Sequence, residues 1–124
     1  MRTRYSETDQ MGIVYHGKYA DYLEIGRVEW LRKLGFSYKK MEASGVLLPV
    51  TELHINYKKS ATYDDELTIT TTLRQKPMVR IVFDYTIHNQ NQELLIEAHT
   101  VLAFMDRDTG RPTRCPDYLL EKLS

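Results

Sequence analysis

From Gly17 to Leu34, the residues Tyr19, Tyr22, Leu23, Gly26, Trp30 and Leu34 recur every three or four positions and predict one face of a long helix. Gly35 follows as a C-terminal stop. Gly26 falls on the apolar face, where a missing side chain lets a helix approach a sheet closely at a cost of about 1 kcal/mol in helix propensity. Ser37 to Ser44 has room for a short second helix. After Gly45 the period changes to two. Leu53, Ile55 and Tyr57 alternate with Glu52, His54, Asn56 and Lys58, the pattern of a half-buried strand. Leu67, Ile69, Thr71 and Leu73 alternate with Thr68, Thr70, Thr72 and Arg74, and Val79 to His88 repeats the pattern with Ile81, Phe83, Tyr85 and Ile87 on one side.

Leu94 to Met105 is apolar on both faces in places, which predicts a central strand or one covered on its second side. Short polar turns at Tyr63-Asp64-Asp65, Lys76-Pro77 and Asn89-Gln90-Asn91-Gln92 join the strands, as in an antiparallel meander. Neither the helix nor the sheet can bury its apolar side alone, so the expected class is α+β with the helix on one face of the sheet. Residues 1 to 6 offer room for a short first strand, truncated if the natural chain starts upstream of Met1.

At 124 residues, with no repeat, low-complexity tract or linker, the chain reads as one domain over 1–124. Its formal net charge is zero, with no basic stripe, which argues against a nucleic-acid partner or a polybasic membrane anchor. The single cysteine, Cys115, excludes an intrachain disulfide and a Cys-rich metal cluster and fits a reducing compartment. No signal peptide and no apolar window of about 20 residues are present, so a cytoplasmic protein without a membrane span is expected. Gly-x-Ser-x-Gly, a Walker loop and His-Glu-x-x-His are all missing, which removes serine hydrolase, nucleotidase and metalloprotease readings.

The informative chemistry lies ahead of the helix. The run from Tyr5 to Tyr19 sets Asp9 in a Gly-containing bend that feeds the helix N-terminus, with His16 at the other edge of the bend. Free backbone N–H groups and the positive end of the helix dipole meet there, and both stabilise an oxyanion or an anionic ligand.

The residues Thr8-Asp9-Gln10-Met11-Gly12-Ile13-Val14-Tyr15-His16, with Tyr19, the helix text Glu24 to Leu31, the turn Tyr63-Asp64-Asp65-Glu66-Leu67 and the closing Gly110-Arg111-Pro112, resemble the hotdog-fold acyl-CoA thioesterases of the 4-hydroxybenzoyl-CoA thioesterase family, including its Tol-Pal-associated branch. The resemblance spans nearly the whole chain. It implies an antiparallel sheet of about five strands wrapped around one long helix, and a homodimer with joined sheets that assembles to a homotetramer, with the thioester at the subunit interface. It implies that the residue matching Asp9 acts as nucleophile or general base and that the helix start donates N–H groups to the thioester carbonyl. No metal or other cofactor is implied, coenzyme A entering as part of the substrate.

Taken singly, Asp9 is a carboxylate able to attack a thioester or to orient a water, although a loop Asp also caps turns readily. In the family reading His16 polarises the carbonyl oxygen through its backbone N–H while its ring helps hold Asp9 or the leaving group; some members of the family carry Tyr at this position, which leaves the backbone role intact. Gly12 serves the bend or close approach of substrate; Val14 and Tyr15 are candidate substrate contacts beside it. Tyr5, Tyr19 and Tyr22 read as packing or subunit contacts, and His54, His88 and His99, which have no metal-ligand spacing, as surface or interface residues. Glu24 and Glu29, among Arg27, Arg32 and Lys33, read as solvated ion pairs along the helix. Coenzyme A phosphates need cations, for which Lys58, Lys59, Arg74, Lys76, Arg80, Arg111 and Arg114 are candidates; matching family segments favour Arg80 and Arg114. The competing expectations are an acyl carrier protein thioesterase and a non-catalytic acyl-binding hotdog subunit.

Overall fold

The structure, a computed structural model, describes residues 1–9, 13–14 and 17–123. The long helix α1 spans Lys18–Lys33, with Asp21 in its first turn and Arg32 and Lys33 in its last, charges placed to oppose the helix dipole. It ends where Gly35 turns to φ +89° and donates its N–H to Arg32 O at 2.9 Å. The short helix α2, Tyr38–Ala43, follows at once, its N-terminus capped by Ser37 Oγ accepting the Lys40 N–H at 3.1 Å.

Six strands follow: β1 Val46–Leu47, β2 Val50–Tyr57, β3 Thr68–Leu73, β4 Arg80–His88, β5 Leu94–Ala103 and β6 Met105–Asp106. β2 to β5 form one antiparallel sheet in the order β2-β5-β4-β3, while β1 and β6 make a separate two-stranded ribbon. A helix α3, Asp117–Leu123, closes the chain, burying Leu119. Pro116 just ahead of it and the apolar Leu119, Leu120 and Leu123 within it are its local helix signal.

Several expectations need correction. Only β3, β4 and β5 form a meander; β2 pairs with β5, so the chain crosses the sheet between β2 and β3. A polar ten-residue connection looks like a turn in sequence, whereas the crossover carries buried Ala61, Asp65 and Leu67. Among the described residues the main sheet has four strands, with the β1–β6 ribbon beside it. Instead of a first strand, the N-terminal residues contribute a 3-10 turn at Tyr5–Glu7 and a bridge from Arg2 to Glu66, secured by the Thr3 N–H on Asp65 O at 2.9 Å.

The core lies between α1 and the sheet. On β4, Ile81, Phe83, Tyr85 and Ile87 face the helix, opposite Leu102, Thr100, Ala98 and Ile96 of β5 in register. Trp30 meets Phe83 edge-on with ring centroids 4.9 Å apart. The helix covers β3 and β4 but leaves the far edge open: Leu53 and Tyr57 of β2 point to the helix side yet remain 48% and 46% exposed.

Arg27 is the second correction of weight. Glu29 pairs with Arg32, as a solvated helix pair should, but Arg27 is only 7% exposed and sits inside the core. Its guanidinium donates to Tyr38 Oη at 3.2 Å and Tyr85 Oη at 3.3 Å, and Tyr85 in turn bonds Thr100 Oγ1 at 2.6 Å. A helical wheel cannot separate a cation on the solvent face from one that phenols will receive.

Candidate active site

Asp9 stands at the mouth of a small hairpin. Thr8 bridges Val14, the Asp9 N–H donates to Ile13 O at 2.9 Å, and the Ile13 N–H reaches Asp9 Oδ1 at 3.4 Å. The bend-capping role foreseen for a loop Asp is therefore present, and the carboxylate is nonetheless exposed. Gly12, Tyr15 and His16 lie outside the described residues, so the expectations placed on them concern positions with no structural account here.

Several contacts hold the hairpin from below. Ile13 bridges Thr62 of the crossover, and the Val14 N–H donates to Ala61 O at 2.8 Å. The Ala61 N–H is received by Tyr19 Oη at 3.0 Å, and Tyr19 rests edge-on against Tyr57 with centroids 5.5 Å apart and against Tyr22 at 5.7 Å. Burial raises the Tyr19 phenol, so it stays a neutral hydrogen-bonding group. Tyr19 and Tyr22 are thus the packing residues the sequence suggested. The Val14 side chain, 2% exposed, belongs to the core, and its backbone ties the hairpin to the crossover.

Glu7 is a buried carboxylate that sequence reasoning passed over. It accepts the Arg4 N–H at 2.8 Å, and together with burial, the larger cause, it drives the neighbouring Tyr22 hydroxyl far upward. A Glu in a polar N-terminal run carries no burial signal; in the fold Glu7 is buried beside the Tyr22 hydroxyl of α1.

Arg80 and Arg114 lie elsewhere. β4 starts at Arg80 beside Ala103, while its other end, Ile87, adjoins Ile96 and through it Tyr57 near the hairpin. Nine residues of strand separate the two ends by roughly 25 Å. Arg114 belongs to the distal end too, because the Cys115 N–H donates to Met78 O at 2.6 Å. Lys76 joins them: one depression is lined by Lys76, Met78 and Arg114, and the adjoining one by Lys76, Met78, Val79 and Arg80. Of the other cation candidates, Lys59 pairs with Glu93 and Arg74 with Asp84.

Other chemistries find little support. Burial, with Asp117 adding to it, pushes the Cys115 thiol up to about 11, the opposite of an activated nucleophile. Among the described residues no group of three His, Cys, Asp or Glu side chains could hold a metal ion, and no helix is long and apolar enough to cross a membrane.

Residues 3–123 match the Thioesterase-like superfamily. The chain is 38% identical over 112 residues to the putative acyl-CoA thioesterase YneP of Bacillus subtilis, covering 90% of this chain and 81% of that one. It is 32% identical over 116 residues to the acyl-CoA thioester hydrolase YbgC of Escherichia coli O6:H1, covering 94% and 87%. Among solved structures it resembles the DHNA-CoA thioesterase of Staphylococcus aureus at 40% identity and a TM-score of 0.90, covering 98% of this chain and 81% of that one. The chain belongs to the thioesterase-like superfamily and is a thioester hydrolase on the hotdog fold.

Proposed function

We propose that the protein hydrolyses acyl-CoA thioesters to a free acid and coenzyme A, with Asp9 as the essential carboxylate. The observation that carries the reading is the Asp9 hairpin: a backbone locked at both ends presents an exposed carboxylate just ahead of α1. Asp9 either attacks the thioester carbonyl, forming an anhydride that water then opens, or orients the attacking water; the sulfur leaves as the coenzyme A thiol. N–H groups at the start of α1 donate to the developing oxyanion, each donor being worth on the order of a hundred- to a thousandfold in rate.

In this reading the complete site requires two subunits. One chain separates its Asp9 from its own Arg80 and Arg114 by about a strand length. The pantetheine arm of coenzyme A would have to span that whole distance. β2 is an edge strand with an uncovered apolar row, Val50, Leu53 and Tyr57, so its edge suits antiparallel pairing with a second copy. Such pairing reverses the partner's sheet and brings the partner's distal end within three strand spacings, roughly 15 Å, of this Asp9 hairpin. Arg80 and Arg114 then receive the nucleotide phosphates across the dimer seam, and the uncovered β2 row lines the acyl group.

The test is thiol release from a panel of acyl-CoA substrates. Asp9→Asn should lose at least about a thousandfold in kcat while retaining the fold and the oligomeric state. Wild-type turnover in that variant would sink the reading.

A further inference from the structure

Tyr19 is packed as a core residue, yet its hydroxyl makes a bond that packing alone does not need. It accepts the Ala61 N–H at 3.0 Å, while the carbonyl of the same Ala61 accepts the Val14 N–H at 2.8 Å. Ala61 is fully buried, so neither of its backbone groups has water as an alternative partner. One residue of the crossover therefore hangs between α1 and the Asp9 hairpin. The hairpin moves with it: Ile13 bridges the adjoining Thr62, Thr8 bridges Val14, and the Asp9 N–H is held by Ile13 O. Thr62 has a separate anchor in Asp65, which ties the crossover to Thr3 and Gln90. Among the described residues, Tyr19 is the only one of α1 whose hydrogen bond reaches the crossover.

Tyr19 follows Lys18, the first residue of α1, so it belongs to the turn whose N–H groups face the oxyanion in the reading above. Its hydroxyl thus joins the two halves of the site, the helix start and the carboxylate hairpin. We infer that Tyr19 is a positioning residue for the hydrolysis, its hydroxyl setting the distance between the Asp9 carboxylate and the N–H groups at the start of α1, a role that rests on the Asp9 reading. A site made of two such parts has a narrow tolerance, a displacement of about 1 Å costing on the order of a hundredfold in rate. The ring is held on two sides, Tyr57 meeting it edge-on with centroids 5.5 Å apart and Tyr22 with centroids 5.7 Å apart, so the hydroxyl has a fixed direction. Tyr19→Phe keeps both ring contacts and leaves the Ala61 N–H buried without its acceptor. The crossover must then shift to find another partner, and the hairpin shifts with it.

Tyr19→Phe tests the hydroxyl alone. In thiol release from acyl-CoA its kcat should fall about tenfold or more while KM stays within about twofold, because the carboxylate is displaced and the surface that binds the substrate is not. Amide hydrogen exchange should quicken about tenfold or more at Ala61 and Val14 and stay unchanged along β4 and β5. Tyr85→Phe is the matched control. It also removes a buried hydroxyl, one that bonds Arg27 and Thr100 inside the core, and it should leave kcat within about twofold of wild type however far its melting temperature drops. Each variant is assayed below the temperature at which circular dichroism shows it to unfold. An undiminished kcat in folded Tyr19→Phe, a change in KM alone, or a loss of kcat that Tyr85→Phe reproduces overturns the inference. Wild-type turnover in Asp9→Asn would overturn the catalytic reading itself, whereas a loss in Asp9→Asn with none in Tyr19→Phe overturns the positioning role alone.

Discussion

The Cα of Gly26 lies against the hydroxyl of Thr71, so close that a Cβ built on Gly26 would stand 2.4 Å from Thr71 Oγ1 and 3.0 Å from Ile69 Cγ2. This contact sets how near α1 approaches β3. Thr71 is β-branched and held in its strand opposite Tyr85, so it has little freedom to turn aside.

Gly26→Ala should therefore destabilise the protein by about 1–3 kcal/mol, even though alanine is the better helix former by about 1 kcal/mol. Gly26→Ala with Thr71→Ala should recover much of the loss, because the second change removes the clashing hydroxyl. Urea denaturation of the four forms gives the coupling energy directly, and additive losses would show that the helix approach is set elsewhere.

Arg27 ties α1 to α2 through Tyr38 and to β4 through Tyr85. The two phenols are reached by different nitrogens of one planar fork, a geometry that an ammonium does not reproduce. Arg27→Lys is expected to cost about 1–3 kcal/mol of stability, measured as a shift of the urea midpoint at constant slope. A midpoint unchanged in Arg27→Lys would mean that charge alone, and not the fork, is what the core needs.

Asp65 is pinned by groups from three parts of the chain. Thr62 donates through its N–H at 2.7 Å and its hydroxyl at 3.0 Å, the Gln90 side chain donates at 2.9 Å, and the Asp65 N–H is received by Thr3 Oγ1. Burial works to raise this carboxyl, but the hydrogen bonds outweigh it and hold it below its ordinary value. A carboxyl lowered in the folded state contributes stability that is complete above the unfolded-state value near ~3.9 and is lost as pH falls through the folded-state value. Thermal melts from pH 6 down to pH 2, a range of about four units, should therefore fall less steeply for Asp65→Asn than for wild type, with Asp65→Asn the less stable at pH 6. Parallel curves would remove Asp65 as a contributor to acid unfolding.

Cys115 offers a probe of global opening. With its thiol at about 11, alkylation by iodoacetamide near neutral pH should be slow in the folded protein and faster by on the order of a hundredfold once denaturant exposes the side chain. Mass spectrometry across a urea series would follow it. Rapid labelling of the native chain would contradict the burial of this segment.

The legible parts of the fold were those governed by local period. The three-to-four spacing placed α1 within a residue at each end, and alternation placed β3 and β4 nearly as well, because one buried face imposes its repeat on the sequence. The bend carrying Asp9 was legible for another reason: a Gly-containing run ahead of a strong helix pattern points to a helix N-terminus whatever the rest of the chain does. Strand order was not legible. Whether β2 pairs with β3 or crosses to β5 depends on which pairing buries more surface once the helix is in place, and both orders keep the same alternation. The burial of Arg27 and Glu7 escaped for a related reason, since each is received by partners distant in the chain or turned inward by a local fold.

By itself, the sequence determined the strongly periodic elements, the class of the fold and a carboxylate ahead of the long helix, because those follow from periodicity and local turn chemistry within a dozen residues. Only the tertiary structure decided that the Asp9 hairpin and the Arg80–Arg114 end stand at opposite ends of one sheet. That separation arises from strand order and strand length, quantities fixed by long-range packing and not by any local pattern.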